Sequence, residues 1–131
     1  MDKTMTNLQL PNLAYSNLAR LSKGTGWTRI AYQTYVQATT DPRDLNSRGD
    51  LIMAVRHFDT TIAVVHENGT VEVNNGGYAS RTTTHRLDAI LRDNRSSVRL
   101  AIRKSVVTIL RADTLEQIAP LEGYRVFHPD A

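Results

Sequence analysis

Several short stretches of the chain alternate between apolar and polar residues with period two. From Arg29 to Gln37, Ile30, Tyr32, Thr34 and Val36 fall on one side of an extended chain, and the aromatic and β-branched content predicts a strand. Leu51 to Phe58 predicts a second strand, Asp59-Thr60 a turn, and Thr61 to His66 a third strand. Asn68-Gly69 suits a type I′ turn, in which both central residues need φ above zero. Thr70 to Asn74 then returns, which makes an antiparallel meander. Further on, Val98, Leu100 and Ile102 alternate with Arg99, Ala101 and Arg103. Lys104-Ser105 turns the chain, and Val106 to Arg111 pairs back. Thr114 to Pro120 fits neither period, and Tyr124 to Phe127 predicts a last strand.

Two stretches follow the helical period instead. Pro11 suits a first helical position, Leu13, Leu18 and Leu21 share a face, and Gly24 is a stop signal. Thr82, Thr83 and Thr84 offer N-caps for a helix to about Asp93, with Leu87, Ile90 and Leu91 as its apolar face and Asn94 as its close. Ala38 to Asp50 is polar, holds Asp41-Pro42 and Arg48-Gly49, and predicts a loop. The expected fold is α+β: an antiparallel meander sheet of about five to seven short strands, an N-terminal helix, and one helix between two hairpins. Residues 1–10 read as a flexible arm and 11–131 as a single domain. The two meanders echo each other weakly, as in Gly77-Tyr78 and Gly123-Tyr124. Shared strand composition accounts for most of this.

A chain of 131 residues has the length of one domain. It holds no cysteine, which removes disulfides, thiolate nucleophiles and cysteine metal sites. The longest apolar run, Leu51 to Val55, is far too short to span a membrane, and no signal-peptide pattern opens the chain. The formal net charge is only +3, but it is unevenly spread. Arg81, Arg86, Arg92, Arg95, Arg99, Arg103, Lys104 and Arg111 face only Asp88 and Asp93, so this stretch carries eight minus two, or +6. Arginine suits planar contact to phosphate, which makes a polyanion, above all nucleic acid, the expected partner. Arg99 and Arg103 fall on one strand face and are the paired contacts of that reading.

Catalytic and metal signals are weak. His57, Asp59 and His66 sit near one hairpin but lack metal-ligand spacing, and we assign no metal and no cofactor. No nucleophile motif or carboxylate pair is present, so the reading leans away from an enzyme. Gly76-Gly77 is more informative. Consecutive glycines let backbone N–H groups converge into a nest, and the predicted helix start with Arg81 and Arg86 adds positive potential. Either this nest holds a phosphate, or the pair only makes a turn that needs positive φ. Tyr32 and Tyr35 fall on opposite faces of their strand, one of them open to stack on a base.

The residues Ile30-Ala31, Thr34-Tyr35, Ala54-Val55-Arg56-His57, Thr60, Ile62, His66, Asn68-Gly69-Thr70-Val71, Asn75-Gly76-Gly77 and Thr82-Thr83-Thr84 with Arg86-Leu87 occur in a fixed order. Over about residues 29–91 this resembles a group of small tailed-bacteriophage proteins with the outline H-x-T, H-x-N-G-x-V, N-G-G-[WY] and T-T-x-x-R. His57-Phe58-Asp59-Thr60 carries one residue more than the compact form, and Tyr78 stands where tryptophan is commoner. The resemblance implies a phage source and the cytoplasm of an infected bacterium, and it transfers no functional residues. The leading expectation is a non-catalytic accessory protein that binds a polyanion through Arg81, Arg86, Arg99, Arg103 and Lys104 with Gly76 and Gly77. Two alternatives stand beside it. One is a virion or assembly protein, a homo-oligomer or a partner of host or phage proteins. The other is an inhibitor of a host defence component or nucleotide signal.

Overall fold

The computed structural model describes residues 10–24, 26–40, 51–74 and 80–129. In chain order these form α1 (Tyr15–Leu21), β1 (Thr28–Ala31), β2 (Thr34–Thr40), β3 (Leu51–His57), β4 (Thr60–Val65) and β5 (Val71–Asn74). There follow α2 (Arg81–Asp93), β6 (Val98–Arg103), β7 (Val106–Arg111), β8 (Gln117–Pro120) and β9 (Tyr124–Phe127). The fold is α+β, with a helix before the meander and one between its two parts. The strands make two antiparallel sheets, ordered β1-β2-β3-β4-β5-β9 and β6-β7-β8. The nine strands among the described residues thus exceed the expected five to seven, mainly because short strands flank tight turns. Most of the arm, the loop over 41–50 and the segment 75–79 with Gly76, Gly77 and Tyr78 lie outside the described residues.

Strand register explains the core. Val36, Val55, Ala63 and Val73 stand opposite one another across four strands, as do Met53, Val65, Val71 and Phe127. Side chains on one face of a sheet recur every second residue, so these two rungs build a continuous apolar face. Leu87, Ile90 and Leu91 of α2, Leu100 and Ile109 of the smaller sheet, and Leu13 and Leu18 near α1 all join the same cluster. That burial, about 25 cal/mol for each Å² of apolar surface, is the main force holding the elements together.

Four local expectations change. The predicted Arg29–Gln37 strand is two strands, because the chain reverses at Tyr32-Gln33 and Gln33 takes φ 50°. Neither residue is a usual marker of that conformation, so alternation concealed the turn. Asn68-Gly69 does not form a type I′ turn. His66 and Thr70 pair through His66 N–H to Thr70 O at 2.9 Å, and the Gly69 N–H donates to His66 O at 3.0 Å. Only Gly69 has positive φ, 93°, as in a three-residue loop ending in a glycine bulge. The type I′ signature belongs to Lys104-Ser105, with φ 52° and 66°.

The helix starts differ as well. α1 begins after an extended Ala14 that provides no side-chain cap, not at Pro11. The end of α2 holds this segment instead. The Leu13 N–H donates to Asp93 Oδ2 at 2.8 Å, the Tyr15 N–H donates to Asn94 Oδ1 at 3.0 Å, and Asn94 Nδ2 donates to Leu13 O at 3.0 Å. Ser80, not a threonine, caps α2: its Oγ accepts the Thr83 N–H at 3.0 Å. Thr83 and Thr84 are buried in the first turn.

Candidate functional site

β6 runs back along α2. The Ser96 N–H donates to Leu91 O at 3.0 Å, and further along the Leu100 N–H donates to Asp88 Oδ1 at 2.9 Å. Asp88 also receives both Nε and Nη2 of Arg99, each at 2.7 Å. One carboxylate therefore satisfies a backbone donor on the outer edge of β6 and a bidentate guanidinium. The arrangement also sets position. Arg81 lies seven residues before Asp88, about 10 Å along a helix. Arg103 lies three residues after Leu100, about 10 Å along a strand running the opposite way. Arg81, Arg103 and Lys104 consequently reach the same end of the molecule, where α2 begins.

The arginine-rich stretch does not form one uniform surface. Arg81, Arg103 and Lys104 are exposed, and among the described residues no carboxylate pairs with them. Arg99 is committed to Asp88, whose hydrogen bonds hold its pKa above the usual arginine value. It does not act as a free partner to Arg103 on the strand face. Arg111 pairs with Asp113 at 3.0 Å in full exposure. Arg86 is only 6% exposed. Its Nε donates to Thr34 Oγ1 at 3.0 Å, and burial lowers its pKa. Among the described residues no carboxylate compensates it. Helical spacing signals this placement, since Arg86 lies between Thr83 and Ile90 on the stripe that also holds Leu87.

Beside Arg86, at the end of β3, lies His57, 4% exposed. Its Nδ1 is 3.1 Å from Gln33 O, and a carbonyl only accepts, so Nδ1 carries the hydrogen. Nε2 then bears a lone pair, and it is buried without a hydrogen-bond partner among the described residues. Burial first and the Arg86 charge second lower the His57 pKa, against the hydrogen bond to Gln33. The ring is therefore neutral at pH 7.

A cavity of about 460 Å³ opens here between the β3–β4 turn and the first turn of α2. His57, Phe58, Asp59 and Ile62 line it from the sheet, and Ser80, Thr82 and Thr83 from the helix. Phe58 is the residue that sequence reasoning passed over. It stands in the His57–Thr60 turn that carries one residue more than the compact form, it has φ 54°, and it is 53% exposed. Gly76 and Gly77 come shortly before Ser80 in the chain, and their nest lies outside the described residues.

The remaining candidates go elsewhere. His66 lies on the opposite face of the sheet from His57, where its Nε2 meets Glu72 Oε2 at 2.5 Å. His57, Asp59 and His66 thus form no common site, and no cluster of metal-binding side chains occurs among the described residues. Tyr35 is not open for stacking, because the Arg56 guanidinium sits between it and Trp27, at 4.7 and 4.5 Å from the two ring centroids. Tyr32 is exposed in the β1–β2 turn. No helix among the described residues is long and apolar enough to cross a membrane.

One family model, described as the Kyanoviridae Gp96 protein, matches residues 11–125. The match runs from before α1 into β9 and takes in both the cavity and the cationic end. No curated protein and no solved structure matches the chain.

Proposed function

The chain belongs to the Kyanoviridae Gp96 protein family, a family of phage proteins, and we propose that it is an accessory protein that binds the phosphates of nucleic acid in the infected host's cytoplasm. The binding surface is the end of the molecule at which α2 begins. Arg81, Arg103 and Lys104 supply free cations there, and the helix start adds the positive end of its dipole. The observation that supports this reading is the Asp88 contact to Arg99 and Leu100, which holds β6 beside α2, so that the rise of helix and strand carries positions 81, 103 and 104 toward the same end. Arg86 adds positive potential from below without touching a phosphate itself. Contacts of this kind position a backbone and read little sequence.

The test is fluorescence anisotropy with labelled single-stranded DNA, duplex DNA and RNA across a salt series. Affinity falls steeply with salt, and the triple variant R81A/R103A/K104A flattens the duplex slope by about 2.7, at about 0.9 for each phosphate no longer neutralised. Arg92→Ala with Arg95→Ala, at the other end of α2, leaves the slope unchanged. Equal slopes for the two variants, or no binding by the wild type at low salt, would overturn the reading.

A further inference from the structure

Phosphate binding leaves the cavity unexplained. Its volume of about 460 Å³ lies within the range of small-ligand sites, and its walls are poorly suited to an anion. The Asp59 carboxylate stands in the lining, and the neutral His57 brings no positive charge to it. A metal cation is opposed by the uncompensated Arg86 charge beside His57. What the lining offers is an aromatic face, an apolar wall at Ile62, and hydroxyls on Ser80, Thr82 and Thr83.

Phe58 strengthens the case for a flat ligand. A bulky L-residue with φ near 54° is held in the left-handed region, where its Cβ crowds the backbone. The β3–β4 turn accepts this strain and leaves the ring 53% exposed, edge-on to His57 at 4.6 Å between centroids. Turns more often place a polar residue or glycine at such a position, although Leu115, also exposed at φ 62°, shows that this chain tolerates an apolar one elsewhere. Retaining an exposed aromatic at the mouth of a polar cavity is the pattern of a stacking platform.

We propose that the cavity receives one unstacked base of a single-stranded nucleic acid. The base stacks on Phe58, and the hydroxyls at Ser80, Thr82 and Thr83 take polar atoms on its edge. The flanking phosphates run out to Arg81, Arg103 and Lys104. For the polymer, this rests on the phosphate reading above; for the cavity alone, it does not. It makes the protein a reader of single strands or strand ends, with a tolerance for sequence that follows from stacking.

Two measurements test it separately. In the first, adenosine, cytidine, guanosine and uridine, which carry no phosphate, are added to the full chain in thermal unfolding. At least one nucleoside raises the Tm of the wild type and leaves that of Phe58→Ala unmoved. In the second, anisotropy compares a single-stranded oligonucleotide, the same strand with abasic sites, and a duplex. Phe58→Ala weakens the intact strand by about tenfold or more, has no effect on the abasic strand, and does not change the salt slope. Phe58 is exposed, so this variant folds. Salt-dependent binding that is indifferent to Phe58 and to abasic sites, with no nucleoside shift, would overturn the inference and leave the phosphate reading intact. A nucleoside shift without salt-dependent polymer binding would overturn the phosphate reading and the polymer with it, and leave a cavity for a free nucleoside alone.

Discussion

The six-stranded sheet carries a polar cluster on each face, the outer one partly exposed and the core one buried, and the two are built on opposite principles. On the outer face, the Glu72 carboxylate accepts from the Tyr124 hydroxyl and lies 2.5 Å from His66 Nε2. It ties β5 to β9 and to the β4–β5 turn, and its oxygens have partners. On the core face, Thr34 Oγ1 donates to Tyr32 O and accepts from Arg86, while His57 keeps an acceptor unpaired. No described carboxylate enters that cluster. A buried polar group without a partner costs about 1–3 kcal/mol, so such groups in a stable fold usually have another purpose. The contrast separates a paired fastening from a cluster that, on the reading proposed above, serves a ligand.

The largest test of that contrast is Glu72→Ala. It removes the partner that His66 and Tyr124 share and loosens β9, and a loss of about 2 kcal/mol in urea unfolding is expected. A loss below about 1 kcal/mol would mean that the outer cluster does not fasten the sheet.

A smaller effect is expected from pH. The folded His57 pKa lies below its ordinary value of 6.5. The unfolded chain therefore takes up a proton that the folded chain refuses. This contribution to stability is full above about pH 7, falls as pH drops through 6.5, and levels off below the folded pKa. His57→Asn, whose side-chain amide can still donate to Gln33 O, flattens that part of a Tm–pH profile. An unchanged profile would show that His57 titrates as it does in water.

The smallest effect is expected from Arg86→Met. It removes one hydrogen bond but also the burden of a buried, uncompensated charge, so stability stays within about 1 kcal/mol of wild type. A loss as large as that of Glu72→Ala would erase the distinction between the clusters. With stability unchanged, the same variant isolates what the buried charge contributes to binding.

Much of this architecture was legible in the chain. The limits of β6 and β9, the end of α2 and its apolar face at Leu87, Ile90 and Leu91 all follow from periodicity and capping chemistry. Turns at Phe58-Asp59 and Tyr32-Gln33 were less legible, because a left-handed residue need not be glycine when the flanking strands are strongly paired. The site divided in the same way. Arg81, Arg103 and Lys104 are exposed as a charge cluster implies, whereas Arg86 and Arg99 are taken up by Thr34 and Asp88. Alternation tells which face a residue is on, but not which distant side chain will meet it there. The cavity depends on that second kind of fact, since it joins a β3–β4 turn to a helix that begins some twenty positions later.

The closure of the large sheet by β9 also bears on how the chain comes to be folded. Tyr124 meets Glu72 across 52 positions, and the described residues between β5 and β9 include α2 and the smaller sheet. The β3–β4 and β4–β5 hairpins join near neighbours and can form early, but the outer edge of β5 waits for a strand delivered by that long excursion. Loop closure is therefore the expected slow step, and its late partner is a four-residue strand. Until it docks, β5 presents unpaired backbone groups to any other extended chain nearby. A slowly folding molecule of this kind is most exposed to mispairing with its own copies while it is being made.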